Sequence, residues 1–80
     1  MRLCSVRQQG KAFVGLGWKD RWLNLSRAMQ DHAERFPWLD RCPVLRIEEI
    51  LWYVKDLPGT LGAFWQDLDQ AGILQAYQVE

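Results

Sequence analysis

The hydrophobic pattern of this chain changes its period near residue 25, and this change constrains the fold more than any other feature. Before it, apolar and other residues alternate with a period of two in short runs, which is typical of strands. After it, apolar residues recur three or four positions apart, which is typical of helices with one buried side. Strands followed by helices predict an α+β domain with a small antiparallel sheet.

Three strands are predicted in the first 25 residues, over 3–7, 12–17 and 22–25. The first turn contains Gly10, which is free to take the positive φ that a tight hairpin needs. Side chains alternate between the two faces of a strand, so the aliphatic residues of the later strands share one side. That predicted core side consists of Ala12, Val14, Leu16, Leu23 and Leu25.

Two or three helices are predicted after the sheet. The first is expected over 27–35, with Ser26 as its N-cap and Pro37 ending it. Its buried stripe is predicted to be Ala28, Met29, His32, Ala33 and Phe36. A connector over 38–43, which includes Pro43, leads to a second helix with Ile47, Ile50, Leu51 and Val54 inward.

The segment 57–59, Leu-Pro-Gly, is predicted to break the second helix, and Thr60 is the expected N-cap of a third. The inward residues of this third helix are predicted to be Leu61, Phe64, Trp65, Leu68 and Ala71. Gly72 suits the left-handed position that follows a helix. Residues 73–80 are expected to form a C-terminal strand, and a strand reaching the last residue suggests a longer parent protein.

Composition narrows the class of protein. Eighty residues with 49% hydrophobic content predict one small domain over 1–80. A net charge of zero, without any stretch of five like charges, disfavours nucleic acid as a partner. No apolar run is long enough for a membrane span, and the N-terminus lacks the apolar segment of a signal peptide, so a cytoplasmic protein with free Cys4 and Cys42 is expected.

The sequence predicts neither a catalytic nor a metal-binding residue. His32 lies on an apolar stripe and is interpreted as a packing residue. Glu48 and Glu49 are adjacent and point about 100° apart on a helix, so they are interpreted as a solvated face. Asp67 and Asp69, two residues apart on a helix, likewise point in different directions and cannot share a site. Cys4, His32 and Cys42 lack the spacing of a zinc motif.

Aromatic residues are the main functional signal. Five tryptophans are too many for a thin core to cover completely, so some should contact another domain or subunit. The predicted interface residues are Trp18, Trp22, Trp52, Tyr53 and Trp65. The alternative is that these rings only enlarge the core.

Over nearly its whole length, the chain resembles the opening of fumarylacetoacetate hydrolase family proteins. The resemblance rests on Met1-Arg2-Leu3, Arg7, Gly10, Gly15, the Asp20 turn, Asn24-Leu25-Ser26 and Ala28. These match a first strand, a hairpin with Arg and Gly, a strand containing Gly, and an Asp-Leu-Ser start of a helix. Asn24 stands where Asp is usual. The later helices and the final strand also fit the family's small N-terminal domain.

The resemblance implies a non-catalytic N-terminal domain that packs on its own C-terminal catalytic domain and supports a dimer with a second subunit. The family acts on 2-oxo or 3-oxo acids as hydrolases, isomerases or decarboxylases. Its Mg or Mn ion is held by three carboxylates of the catalytic domain, which these 80 residues do not include.

Two other classes stay open. The chain could be a standalone protein-interaction module that uses a tryptophan-rich surface. It could also be a small ligand-binding protein, although no polar groups clearly converge on the aromatic residues in the sequence.

Overall fold

An antiparallel sheet with the strand order β1-β2-β3 forms the first part of the computed structural model, which describes residues 1–42 and 45–79. Its strands are β1 (Arg2–Gln8), β2 (Lys11–Trp18) and β3 (Arg21–Asn24). The helices that follow are α1 (Leu25–Asp31), α2 (Ile47–Tyr53) and α3 (Leu57–Gln70). The predicted α+β class, with a three-stranded meander followed by helices, is therefore confirmed.

The register of the sheet places the predicted aliphatic side against the helices. Leu3 pairs with Leu16, and Leu16 pairs with Leu23, so these residues share one face. Val14, Leu16 and Leu23 are all at most 2% exposed. The period-two pattern therefore identified Val14, Leu16 and Leu23 correctly, whereas Ala12, next to the first turn, is exposed and its predicted core position is wrong.

Both hairpins use residues with positive φ at their turns. The first has Gln9 and Gly10 at φ 54° and 77°, as the sequence indicated for Gly10. The second has Lys19 and Asp20 at φ 52° and 62°, without any glycine. Residues other than glycine rarely adopt a positive φ, so the second turn holds two residues in an unfavourable backbone conformation.

Helix α1 begins earlier than predicted. Leu25 is its first residue and is fully buried, so its assignment to the third strand is wrong. The N-cap is Asn24, whose Oδ1 accepts a hydrogen bond from the Arg27 amide at 3.0 Å. Ser26 is not the cap, because it lies inside the helix and its Oγ accepts a 2.9 Å hydrogen bond from the Val14 amide. The hydroxyl thus bridges the helix to the sheet.

The segment after α1 consists of two short 3-10 helices, Ala33–Arg35 and Pro37–Arg41. The predicted helix over 27–35 is therefore too long, because the α-helical hydrogen bonds end at His32. The predicted stripe still holds, since Ala28, Met29 and Phe36 are buried. Pro43, the second proline of the predicted connector, lies outside the described residues.

The start of α3 also differs from the prediction. Asp56 is its N-cap, with Oδ1 accepting a hydrogen bond from the Gly59 amide at 3.2 Å, so Thr60 is not the cap. Pro58 occupies the first turn, where a missing amide hydrogen costs nothing. The Leu-Pro-Gly segment therefore opens α3.

The end of α3 agrees with the prediction for Gly72, which has φ 74°. The Gly72 amide donates to the Asp69 carbonyl at 3.0 Å and the Ile73 amide donates to the Leu68 carbonyl at 3.1 Å. This pair of bonds is the Schellman motif. Ala71 is exposed at the helix end, so its predicted inward position is wrong.

The C-terminal segment is not the predicted strand over 73–80. Leu74–Tyr77 is a 3-10 helix, and only then does the chain reach the free edge of β3. There Gln78 forms an isolated antiparallel bridge with Leu23, and the Val79 amide donates to the Trp22 carbonyl at 2.7 Å. Glu80 lies outside the described residues.

One core joins the sheet, the helices and the C-terminal 3-10 turn. Its buried members are Val14, Leu16, Leu23, Leu25, Ala28, Met29, Phe36, Leu45, Ile50, Val54, Leu61, Phe64, Trp65, Leu68, Leu74 and Tyr77. Within the described ranges, none of the helices is both long enough and apolar enough to cross a bilayer.

Candidate functional site

The five residues of the predicted aromatic interface lie in three different environments. Trp52 is 79% exposed, whereas Trp65 is 4% exposed and belongs to the core. Trp18, Trp22 and Tyr53 are half-buried. The structure therefore does not gather all five on one surface, and Trp65 offers no surface for a partner.

Helix α2 carries the most exposed aromatic surface. Leu51 is 55% and Trp52 79% exposed, and we name these two adjacent residues the α2 ridge. Leu51 was predicted to face inward together with Ile50. Neighbouring residues on a helix point about 100° apart, so the complete burial of Ile50 turns Leu51 toward solvent.

Aromatic contacts hold helix α2, which carries the ridge, against the core. Tyr53 stacks on Trp38, with ring centroids 4.8 Å apart and planes at 7°. Trp38 in turn meets Phe36 of the core edge-on at 6.3 Å. The two neighbours of the ridge, Ile50 and Tyr53, therefore hold α2 in one orientation.

Trp22 covers the outer face of the sheet, which points away from the helices. A Cβ added to Gly17 would lie 2.8 Å from three atoms of the Trp22 six-membered ring, so the ring lies face-on over Gly17. The same ring reaches Gly15, where an added Cβ would lie 3.5 Å from Cε3. The glycines of β2 thus make room for an indole on a face that would otherwise be open.

A second feature is a cavity of about 270 Å³ beside the β2–β3 turn, which we name the turn cavity. Its lining residues are Met1, Arg2, Gly17, Trp18, Lys19, Asp20, Arg21 and Trp22. Lys19 Nζ lies 4.9 Å from the centroid of the Trp18 ring, which itself packs edge-on against Trp65 at 5.6 Å. Of the two indoles at this turn, Trp18 is therefore anchored in the core, whereas Trp22 lies on the outer face of the sheet.

His32 has the surroundings of a packing residue. Its ring meets Phe64 edge-on at 5.7 Å and Tyr77 at 6.2 Å. Its Nδ1 lies 3.9 Å from Oε1 of Glu34, whose side chain is largely exposed. These contacts match the interpretation from the sequence.

Tyr77 is buried next to this histidine and donates a 2.9 Å hydrogen bond from its hydroxyl to Oδ2 of Asp31. Burial raises the pKa of Tyr77, and the hydrogen bond and the negative charge of Asp31 raise it further. The positive charge of Arg27 acts in the opposite direction. This pair ties the C-terminal 3-10 turn to the end of α1.

The acidic pairs do not converge on common sites. Glu49 is half-buried and its Oε1 lies 3.3 Å from Arg46, so it is not the solvated residue predicted. Asp67 accepts a 2.7 Å hydrogen bond from Arg35. Across residues 1–42 and 45–79, no three His, Cys, Asp or Glu side chains lie close enough together to hold a metal ion. Cys4 and Cys42 are free thiols, as expected.

Comparison with protein-family models, with curated proteins and with solved structures gives no match for this chain. The resemblance to the fumarylacetoacetate hydrolase family therefore stays a prediction.

Reasoning from the sequence missed the turn cavity because the net charge of zero conceals an uneven distribution of charged residues along the chain. Residues 1–30 contain six basic and one acidic side chain, whereas residues 31–80 contain four basic and nine acidic ones. The six basic residues are Arg2, Arg7, Lys11, Lys19, Arg21 and Arg27. Charge counted separately for the strand and helix segments would have identified the basic sheet.

Proposed function

We propose that this chain is a non-catalytic docking domain that binds a protein surface through the α2 ridge. The observation that supports this proposal is the exposure of Trp52, at 79%, directly beside Leu51, at 55%. Tryptophan is enriched among the residues that dominate binding energy at protein interfaces. An indole side chain also buries a large area when a partner covers it.

The rigidity of α2 favours docking over a disordered contact. Ile50 is fully buried and Tyr53 is stacked on Trp38, so the helix that carries the ridge is already held in one orientation. A preorganised helix loses less conformational entropy on binding than a mobile segment does.

The charges of α2 favour a protein partner over a membrane surface. Glu48 in its first turn is exposed, and Glu49 keeps one oxygen next to Arg46. The exposed carboxylate of Glu48 beside the apolar ridge is repelled by anionic lipid headgroups, whereas the charge of Glu49 is paired with Arg46. We therefore expect the partner to present an apolar pocket with a basic rim.

The family resemblance gives this function one particular form. In that form the partner is the chain's own C-terminal catalytic domain, a fumarylacetoacetate hydrolase family enzyme of 2-oxo or 3-oxo acids, with a second subunit completing a dimer. Magnesium or manganese would then be bound by the catalytic domain and not by residues 1–80. What supports this form is the three-stranded meander that leads directly into α1. The cytoplasm remains the proposed compartment.

A photo-crosslinking experiment in the native cells tests the docking function. A photoreactive phenylalanine analogue replaces Leu51 in one variant and the exposed Gln66 of α3 in a matched control. We expect a discrete adduct from position 51 that weakens when Trp52→Ser is added. Equal adducts from positions 51 and 66, or an adduct that Trp52→Ser leaves unchanged, would overturn the proposal.

The identity of the adduct then distinguishes the forms of the function. A catalytic domain on the same polypeptide or in a second subunit supports the form given by the resemblance. A second copy of these 80 residues alone, or an unrelated protein, supports the standalone interaction module.

A further inference from the structure

We propose that the open edge of β1 binds an extended, acidic segment of a partner protein, which joins the sheet as a fourth strand. The backbone of Leu3, Ser5 and Arg7 would hold this segment by hydrogen bonds, and the side chains of Arg2 and Arg7 would select carboxylates. This inference uses neither residue of the α2 ridge and is independent of the docking function.

The edges of the sheet differ in how they are covered. Since the strand order is β1-β2-β3, β1 and β3 are the edge strands. The C-terminal segment covers the edge of β3, where the Val79 amide donates to the Trp22 carbonyl at 2.7 Å. Across residues 1–42 and 45–79, no hydrogen bond joins the backbone of β1 to a group outside the sheet. The outward side of β1 is therefore an open edge.

The first turn determines which backbone groups point to the open edge. Gln9 and Gly10 form a two-residue turn with positive φ, so the residues that flank it, Gln8 and Lys11, exchange hydrogen bonds. Hydrogen-bonded and non-hydrogen-bonded positions alternate along an antiparallel pair. Every second residue counted back from Gln8 therefore bonds to β2. The residues between them point their amides and carbonyls to the open edge, namely Leu3, Ser5 and Arg7.

A hydrogen bond on the far side of β2 agrees with this alternation. Val14 lies opposite Ser5, and its amide points away from β1, donating to Oγ of Ser26 at 2.9 Å. Ser5 and Val14 are therefore a non-hydrogen-bonded pair, and Ser5 directs its amide and carbonyl outward. Ser5 and Arg7 are both exposed, so a partner can reach this part of the edge.

The length and regularity of β1 suit the addition of a strand. All of its residues, Arg2–Gln8, pair with consecutive residues of β2, so no bulge interrupts the strand, and it contains no proline. Bulges, prolines, short length and charged side chains are the usual protection of an edge strand. Of these, β1 has only the charges of Arg2 and Arg7.

These charges decide which strand can be added. Residues 1–19 contain four basic and no acidic side chains. Pairing with β1 of a second copy would bring two arginines from each copy to one junction without a carboxylate, and like charges on neighbouring strands are destabilising. In the part of the chain that the structure describes, no carboxylate oxygen lies within 4.0 Å of Arg2 or Arg7. An acidic strand would supply these missing partners.

A short peptide serves as the probe for such a strand. Its sequence is Glu-Thr-Val-Thr-Val-Glu-Thr, with an acetylated N-terminus and an amidated C-terminus. When its first residue lies opposite Arg7 in an antiparallel register, its sixth lies opposite Arg2, and both are glutamates. The valines then lie opposite Ser5 and Leu3, on the side of the sheet that faces the helices.

Amide hydrogen exchange, measured by NMR on the 80-residue chain, tests the proposal. In the free chain the amides of Cys4 and Val6 should be protected by β2, whereas those of Leu3, Ser5 and Arg7 should exchange freely. Saturating peptide should slow exchange at these last three amides and leave the first two unchanged. This alternation is specific to a strand added at the edge.

Peptide variants separate hydrogen bonding from charge. N-methylation of both valines removes the amides that face β1 and should abolish binding. N-methylation of the second and fourth residues, whose amides point to solvent, is the matched control and should leave binding intact. Replacing either glutamate by glutamine should weaken binding by about two- to fivefold, the range for an opposite-charge pair across strands.

Charge variants of the chain complete the test. Arg7→Gln should also weaken binding by about two- to fivefold. Lys11→Gln lies on β2, away from the open edge, and should leave binding unchanged.

Three results would overturn the proposal. The first is the absence of saturable binding by the acidic peptide. The second is an equal affinity of the two N-methylated peptides, which would show attraction to a basic surface without an added strand. The third is protection of the Leu3, Ser5 and Arg7 amides in the free chain that rises with its own concentration, which would show that a second copy occupies the edge.

Discussion

The six-membered ring of Trp22 lies face-on over Gly17, so close that a single added carbon at Gly17 would approach three ring atoms to 2.8 Å. The indole ring occupies the space that a side chain at position 17 would need. Gly17 lies within β2 and pairs with Trp22, so it is not needed for a turn. The contact gives the solvent-facing side of the sheet a cover that the helices do not provide.

Gly17→Ala should destabilise the protein by about 1–3 kcal/mol, because the whole indole must move to admit the methyl group. Gly62→Ala is the matched control. An added Cβ at Gly62 lies no nearer than 3.7 Å to another side chain, and alanine in a helix interior gains about 0.5–1 kcal/mol over glycine. Urea unfolding of both variants checks this. Loss of stability in Gly62→Ala, or none in Gly17→Ala, would contradict the packing described.

Ser26→Ala should cost about 1–3 kcal/mol, since it leaves the buried Val14 amide without its acceptor. Removal of the helix cap in Asn24→Ala should cost about 1 kcal/mol. Hydrogen exchange distinguishes the two variants. The Val14 amide should lose protection selectively in Ser26→Ala, and unchanged protection there would show that the hydroxyl is not its acceptor.

Ser26 illustrates what the sequence could and could not predict. Alternation placed Val14, Leu16 and Leu23 on the buried face correctly, because one buried side imposes a period of two. A serine before a helical stripe is the usual signature of an N-cap, yet here Asn24 caps and Ser26 bonds to a neighbouring strand. Two candidate capping residues, two positions apart, compete, and only the tertiary position of β2 decides between them.

The candidate sites, like Ser26, could be predicted from the sequence only in part. The excess of tryptophan predicted exposed rings, and Trp52 is exposed, but periodicity on the seven-residue α2 was too short to assign Leu51 to solvent. The turn cavity depends on which residues face each other across β1, β2 and β3. Register follows from the whole sheet, so spacing along the chain could not reveal that Arg2 and Trp22 both lie opposite Gly17, on the two strands beside it.

The Lys19–Asp20 turn should gain stability when Asn-Gly replaces it. Both residues have positive φ, and the left-handed region costs about 1–2 kcal/mol for an ordinary residue, whereas Asn-Gly is the preferred pair for such hairpins. The double variant Lys19→Asn/Asp20→Gly should raise the melting temperature. Gln9→Asn, in the turn that already contains Gly10, should change stability less. A lower melting temperature in the double variant would refute the turn geometry.

Folding stability should fall at alkaline pH because of Tyr77. Burial and the contact with Asp31 raise its pKa above the ordinary value of 10.0, so the folded state holds the phenolic proton more tightly than the unfolded state does. The stabilisation is complete below about pH 10 and is lost as the pH rises through the raised pKa.

Tyr77→Phe lacks this proton and should lose less stability between about pH 9 and about pH 11 than the parent chain does. Tyr53→Phe, which alters the half-buried ring stacked on Trp38, controls for a tyrosine substitution elsewhere. Urea midpoints measured across this range provide the test, and identical alkaline slopes for Tyr77→Phe and the parent would show that the Tyr77–Asp31 pair does not control the loss.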